Sequence, residues 1–126
     1  MLPGRKQAPE TLGHVLILGL GKSGRAAAEY CLALVGGRVE SVTIAAGVDN
    51  ESNRLQGAHY DELGAHVFYG EEVPTAAMPD GSPFDVCIAS PGISEFGPFY
   101  GSARTASHEV ISEVEFAWRE SAADSR

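Results

Sequence analysis

A strand pattern that runs directly into a glycine motif constrains this chain more than any other feature. Residues 14–18 read His-Val-Leu-Ile-Leu, an apolar run without polar alternation. This pattern is typical of a strand that is covered on both faces of a parallel sheet. Residues 19–24 read Gly-Leu-Gly-Lys-Ser-Gly and match G-x-G-x-x-G between a strand and a helix. The chain therefore predicts a Rossmann-like first unit.

Each glycine of this motif has a physical task. Gly19 permits the tight turn, Gly21 lets a phosphate approach the backbone, and Gly24 lets the helix pack close to the strand. The free N–H groups of the first helical turn attract an anion, and Lys22 and Ser23 can add a charge and a hydroxyl donor. The plainer alternative is that the glycines only shape a strand-to-helix turn.

Two other nucleotide motifs fit the same segment less well. A Walker A loop would need glycine at position 16, where Leu16 lies inside the first strand, so an ATP site is not expected here. NAD binding normally uses an acid at the end of the second strand. Residues 44–47 read Ile-Ala-Ala-Gly, and the nearest acids are Asp49 and Glu51. NAD is therefore disfavoured but stays an alternative.

Strand and helix signals alternate along the rest of the chain. The predicted strands are residues 14–18, 41–45, 66–69, 85–89 and 109–111. Helices are predicted after Gly19, within residues 49–63, from Pro98 and after Ser112. The alternation predicts an α/β fold, a doubly wound and mostly parallel five-stranded sheet with helices on both faces and right-handed crossovers.

The helix faces are predicted from apolar spacing. In the helix within residues 49–63, Leu55, His59 and Leu63 are predicted to lie on one side. The last helix begins with a capping box of Ser112 and Glu115, and Ile111 and Phe116 form a hydrophobic staple. Its packed face is predicted to carry Val114, Ala117 and Trp118.

Composition excludes several classes of protein. The 126 residues correspond to one domain, and the net charge of −8 argues against nucleic acid and anionic membranes as partners. No stretch is apolar enough for a membrane helix or a secretory signal. Cys31 and Cys87 are interpreted as buried free thiols in a cytoplasmic protein. The expected organisation is a flexible leader (1–13), one domain (14–120) and a tail or linker (121–126).

A second loop is expected beside the glycine motif. Ser90, Pro91 and Gly92 follow the fourth strand. In this type of sheet the first and fourth strands are neighbours at the switch in strand order, where ligands bind. The Ser90 hydroxyl and the Gly92 N–H could therefore face the same crevice, although an ordinary turn explains the loop equally well. No histidine or carboxylate cluster has metal-ligand spacing, and no catalytic constellation is recognised.

Together these segments resemble the Mur ligase family. Residues 14–24 resemble its opening, residues 86–93 resemble its strand that ends in Ser-Pro-Gly-Ile, and residues 110–116 resemble its Val-Ile strand followed by Glu-x-Glu. The similarity is closest to the branch that adds D-glutamate to UDP-MurNAc-L-alanine. It implies an N-terminal, Rossmann-like domain that binds the UDP part of that substrate in the bacterial cytoplasm.

The resemblance also implies site residues. The diphosphate-binding residues would be Gly21, Lys22, Ser23, Gly24, Ser90, Pro91 and Gly92. The possible contacts on the uracil side would be Ala45, Ala46 and Asp49, although the family usually has an acid at the end of the second strand. No catalytic or metal-binding residue is expected in this domain.

The family's chemistry is expected to lie elsewhere in the parent enzyme. The resemblance implies that ATP and Mg are bound by central and C-terminal domains, and that ATP phosphorylates the alanine carboxylate before the D-glutamate amine attacks. The present chain alone is expected to be inactive. One alternative is an NAD(P)-binding domain of a dehydrogenase or regulatory protein, and another is an interaction module that has lost its ligand.

Replacing the second glycine of the motif tests whether this turn binds an anion. Gly21→Asp places bulk and negative charge where the phosphate would approach. We expect it to abolish binding of a nucleoside diphosphate, measured by calorimetric titration. Undiminished binding in Gly21→Asp would rule out this turn as the phosphate site.

Overall fold

In the part of the chain that the structure describes, the fold consists of a five-stranded sheet and four helices. The computed structural model describes residues 11–20, 22–47, 49–70, 81–90 and 98–124. The strands are β1 (Gly13–Leu18), β2 (Val39–Ala45), β3 (His66–Phe68), β4 (Val86–Ala89) and β5 (Val110–Ser112). The helices are α1 (Lys22–Ala33), α2 (Glu51–Glu62), α3 (Pro98–Ala106) and α4 (Glu113–Asp124). No helix in the described ranges is both long and apolar enough to span a bilayer.

The sheet is parallel throughout, in the order β3-β2-β1-β4-β5. This order confirms the predicted Rossmann-like fold and the predicted pairing of the first and fourth strands. The strands end at one level, because Leu18 pairs with both Ala45 and Ala89, and these two pair with Phe68 and Ser112. The carboxyl ends of all five strands therefore form one continuous rim.

The core has two layers, one on each face of the sheet. One cluster joins Ile17, Cys31 and Phe116, and therefore lies under α1 and α4. The other joins Leu16 and Ala103, and lies under α3. Alternate residues of β1 thus enter opposite layers, which explains why this strand is apolar without alternation. Helices on both faces are confirmed.

Both cysteines are buried and free, as predicted. Burial raises the pKa of the Cys87 thiol to about 12. Burial, reinforced by the negative charge of Glu120, raises the pKa of Cys31 to about 12 as well. The thiolate is the nucleophilic form, so both side chains are unreactive core residues at neutral pH.

The side of α2 on which the apolar spacing places Leu55, His59 and Leu63 faces solvent. In α2 the buried residues are Gly57 and Tyr60, while Leu55 and Leu63 are 69% and 54% exposed. His59 is exposed too. Contact with the end of β3 determines which side of α2 is buried, because a Cβ at Gly57 would collide with the Tyr69 hydroxyl and press on Val67. Because Gly57 has no side chain, β3 can approach α2 closely at this position.

In α4 the core-facing residues are Phe116 and Glu120, which are 5% and 4% exposed. The residues predicted to pack instead face outward, and these are Val114, Ala117 and Trp118. The capping interaction is confirmed, since the Glu115 N–H donates to Ser112 Oγ at 3.0 Å. Ile111 and Phe116 are buried in one cluster, as the staple requires. A buried acid at position 120 is what an apolar-spacing argument cannot anticipate.

The ends of the expected domain differ from the observed elements. Residues 1–10 of the expected leader lie outside the described residues, and Leu12, within that leader, is 5% exposed and joins the core. At the other end α4 continues to Asp124, into the segment expected to be a tail.

A buried ion pair joins three elements at the amino ends of the strands, on the side of the sheet opposite the rim. Arg38, just before β2, donates to Glu120 through Nη1 at 2.6 Å and through Nη2 at 3.0 Å. The Tyr30 hydroxyl of α1 donates to Glu120 Oε1 at 2.5 Å. Burial alone would raise the pKa of Glu120, but these hydrogen bonds outweigh burial and hold it below its ordinary value. The carboxylate therefore anchors α4 to α1 and β2.

Glu120→Gln tests this anchor. Gln keeps the shape but loses the charge, so we expect the free energy of unfolding at pH 7 to fall by about 1–3 kcal/mol. The folded-state pKa of Glu120 is lowered, so its contribution is complete above the unfolded value and is lost as pH falls through the folded value. The difference between wild type and variant, measured by urea denaturation, should therefore shrink on acidification below about pH 4.

The matched control is Glu62→Gln, because Glu62 is exposed on α2. This change should alter stability by less than about 0.5 kcal/mol. A pH-independent loss in Glu120→Gln would contradict a role for the carboxylate charge.

Candidate functional site: the rim at the carboxyl ends of the strands

The first turn holds β1 and α1 in close contact. Gly19 has a φ of +91°, a conformation that favours glycine, and its N–H donates to the Ala45 carbonyl at 2.8 Å. A Cβ at Gly24 would collide with the Gly19 carbonyl. The structure therefore confirms that Gly19 forms the tight turn and that Gly24 allows the helix to pack close to the strand. Gly21 lies outside the described residues.

The start of α1 has the electrostatics of an anion site. Lys22 begins the helix and Ser23 lies in its first turn, which contains no acid. Arg25, which the sequence reasoning missed, is exposed in the same turn. Its position directly after the motif is the signal that could have identified it. The free N–H groups, the helix dipole and two cationic residues together favour a phosphate.

The structure brings Ser90 to this turn. The Ser90 hydroxyl donates to the Leu18 carbonyl at 3.0 Å, and its N–H reaches the same oxygen at 3.3 Å. Its Oγ lies 3.1 Å from the position of a Gly24 Cβ. Ser90 therefore ties the end of β4 to the end of β1, with its hydroxyl proton already in use. Pro91 and Gly92 lie outside the described residues.

The end of β2 presents no polar side chain to the rim. Ala45 and Ala46 are 0% and 4% exposed, so both methyl groups point into the protein. The Ala46 N–H donates to the Phe68 carbonyl at 2.8 Å, which holds β3 beside β2. Of the three residues predicted on the uracil side, only Asp49 is on the surface.

Asp49 belongs to a cluster that the sequence reasoning missed. Arg54 donates to its carboxylate through Nε at 2.7 Å and through Nη2 at 2.8 Å. This fork lowers the pKa of Asp49. The guanidinium carbon of Arg54 also lies 4.1 Å from the centre of the Tyr69 ring. The sequence did contain a signal for this pair, because Asp49 directly precedes the Asn50 cap of α2 and Arg54 follows it by one helical turn.

Two cavities lie away from the glycine turn. One of about 190 Å³ lies at the amino ends of the strands, between Leu12, Val86 and Glu120. The other, about 300 Å³, is a groove between α1 and α4 beside Tyr30 and Phe116. Within the described ranges, no three His, Cys, Asp or Glu side chains come together as a metal site would require. The rim is therefore the place where motif, helix terminus and strand ends coincide.

Comparison with known proteins agrees with the resemblance found in the motifs. The chain is 38% identical over 106 residues to the UDP-N-acetylmuramoylalanine–D-glutamate ligase of Thermobifida fusca (strain YX). It is 32% identical over 106 residues to the enzyme of the same name from Geobacter metallireducens. Each match covers 84% of this chain. This ligase is known as MurD, and the chain is MurD-like.

The likeness to MurD is confined to part of that enzyme. The chain spans about a fifth of the length of these curated relatives, 21% and 22%. No family model matches the sequence. The matched length and the Rossmann-like sheet together support a MurD-like N-terminal domain. The glycine turn and Ser90 are the parts of this MurD-like chain that meet at the rim.

Gly24→Ala tests the close approach of α1 to β1. The new methyl group would meet the Gly19 carbonyl, a backbone atom that cannot rotate away. We expect the free energy of unfolding to fall by about 1–3 kcal/mol in a chemical denaturation experiment.

Gly101→Ala is the matched control, because Gly101 is an exposed glycine of α3 with open space around its Cβ position. It should stabilise the protein by up to about 1 kcal/mol. Equal effects of the two substitutions would show that helix propensity, and not the contact with Gly19, governs position 24.

Proposed function

We propose that this domain binds the nucleotide end of UDP-MurNAc-L-alanine for a D-glutamate-adding ligase. The observation that carries the proposal is the junction of Gly24, Gly19 and Ser90. There the start of α1 is held against the ends of β1 and β4, at the switch in strand order where ligands bind in open α/β sheets. The similarity to two ligases named for this substrate supports the same assignment.

The diphosphate would lie at the N-terminus of α1. Backbone N–H groups of residues 21–24 would donate to its oxygens, and Lys22 would add positive charge. Arg25 is exposed in the same helical turn and would contribute to the attraction. Ser90 would position the turn through Leu18, and the loop that continues with Pro91 and Gly92 would flank the ligand.

The domain would contribute to catalysis through binding alone. Holding the nucleotide places the far end of the substrate, the alanine carboxylate, for reaction elsewhere in the enzyme. In that reaction ATP, with Mg, would phosphorylate the carboxylate and the D-glutamate amine would then displace phosphate. ATP and Mg would be bound by other parts of the parent ligase, and the present chain alone would be inactive.

One observation favours a second candidate, a domain that binds NADP. In Rossmann domains an arginine near the end of the second strand can bind the 2′-phosphate of NADP. Arg54 lies in that region. The absence of an acid at Ala45 and Ala46 argues against NAD itself.

A titration of the 126-residue chain with UDP-MurNAc-L-alanine, UDP, NAD and NADP separates these candidates. Amide chemical shifts in the NMR spectrum report the site. We expect both uridine compounds to shift the amides of residues 22–24 and Ser90, and the dinucleotides to leave them unchanged. If NADP shifts them and the uridine compounds do not, the dehydrogenase-type assignment is correct and the ligase assignment is wrong.

A further inference from the structure

We propose that the guanidinium of Arg54 is the surface on which the nucleobase stacks, with Asp49 and Tyr69 as positioning residues. This inference rests on the proposed function, since it assigns the base subsite of the same ligand. It assigns to Asp49 an indirect role, because the carboxylate orients Arg54 and does not itself bind the base.

The orientation of Arg54 is determined from two directions. The Asp49 carboxylate accepts from Nε at 2.7 Å and from Nη2 at 2.8 Å, which fixes the plane of the guanidinium. The Tyr69 ring covers one face of that plane, with 4.1 Å between the guanidinium carbon and the ring centre. The side chain remains 56% exposed. The opposite face of a rigid, planar cation is therefore available to solvent.

The framework under this cluster is part of the rim. Tyr69 follows Phe68, which pairs with Ala45, which in turn pairs with Leu18 before the glycine turn. Two strand spacings, or about 10 Å, therefore separate the end of β3 from the end of β1. The Gly70 N–H donates to the Gly47 carbonyl at 2.6 Å and holds the two loops together. This separation suits a ligand whose phosphates lie at α1 and whose base extends toward β3.

The close approach of Tyr69 depends on a glycine in α2. A Cβ at Gly57 would collide with the Tyr69 hydroxyl. The Tyr69 ring is thereby held against α2 at Gly57, and it packs against the guanidinium of Arg54. Asp49, Arg54, Gly57 and Tyr69 thus form one packed unit although they come from a loop, a helix and a strand end.

Stacking has a consequence for selectivity. The end of β2 offers only buried methyl groups, so no carboxylate there can accept from the N3–H of uracil. A guanidinium face contacts the π-surface that every base has, whereas the edge of a base distinguishes one from another. We therefore expect the domain to bind UDP and CDP with similar affinity.

Arg54→Lys tests the platform because lysine retains the charge and removes the plane. Binding of UDP, CDP and inorganic pyrophosphate to the 126-residue chain is measured by calorimetry. We expect the variant to bind UDP and CDP about tenfold more weakly, with pyrophosphate affinity unchanged. Arg104→Lys is the matched control, since Arg104 is exposed on α3 at the other face of the sheet, and it should bind all three as wild type does.

The other outcomes overturn the proposal in distinguishable ways. If Arg54→Lys binds UDP as well as wild type does, or if wild type binds UDP no better than pyrophosphate, Arg54 is not a base platform while the diphosphate site stands. If pyrophosphate affinity falls in parallel, Arg54 serves the phosphates. A clear preference for UDP over CDP would show that the base edge is read. If wild type binds neither nucleotide nor pyrophosphate, the proposed function fails as well.

Discussion

The contact between Gly24 and the Gly19 carbonyl is the constraint on which the rest of the molecule depends. It places the first turn of α1 directly over the end of β1, closer than any residue with a Cβ would allow. Because β1 is the central strand, this placement sets the position of α1 on the sheet and of the free N–H groups at the rim. The packing of α1 and the arrangement of its N-terminal N–H groups thus have the same physical origin.

At the amino ends of the strands, an ion pair holds the elements together instead of a close backbone contact. Glu120 is buried but accepts from Arg38 and Tyr30, so three elements meet on one carboxylate. A buried ion pair with complete hydrogen bonding adds little net stability over an apolar group, but the loss of one partner is costly. The pair therefore holds α4 against α1, away from the rim.

The order and identity of the elements were predictable because they depend on local signals. An uninterrupted apolar run, a glycine turn and a capping box each act within a few residues. The faces of α2 and α4 were not predictable in this way. Leu55 and Trp118 lie outward because Gly57 admits Tyr69 and because Glu120 occupies an inward position. Both causes involve partners that are distant in sequence.

The sequence alone predicted the Rossmann-like sheet and the glycine turn, and it offered a meeting of that turn with Ser90 as one of two equal interpretations of the loop after β4. It did so because strand order follows from the alternation of elements and from the handedness of their connections. Only the tertiary structure showed that Arg54, which Asp49 holds, rests on Tyr69. The sheet brings the loop after β2 next to the end of β3, and no spacing along the chain encodes that proximity.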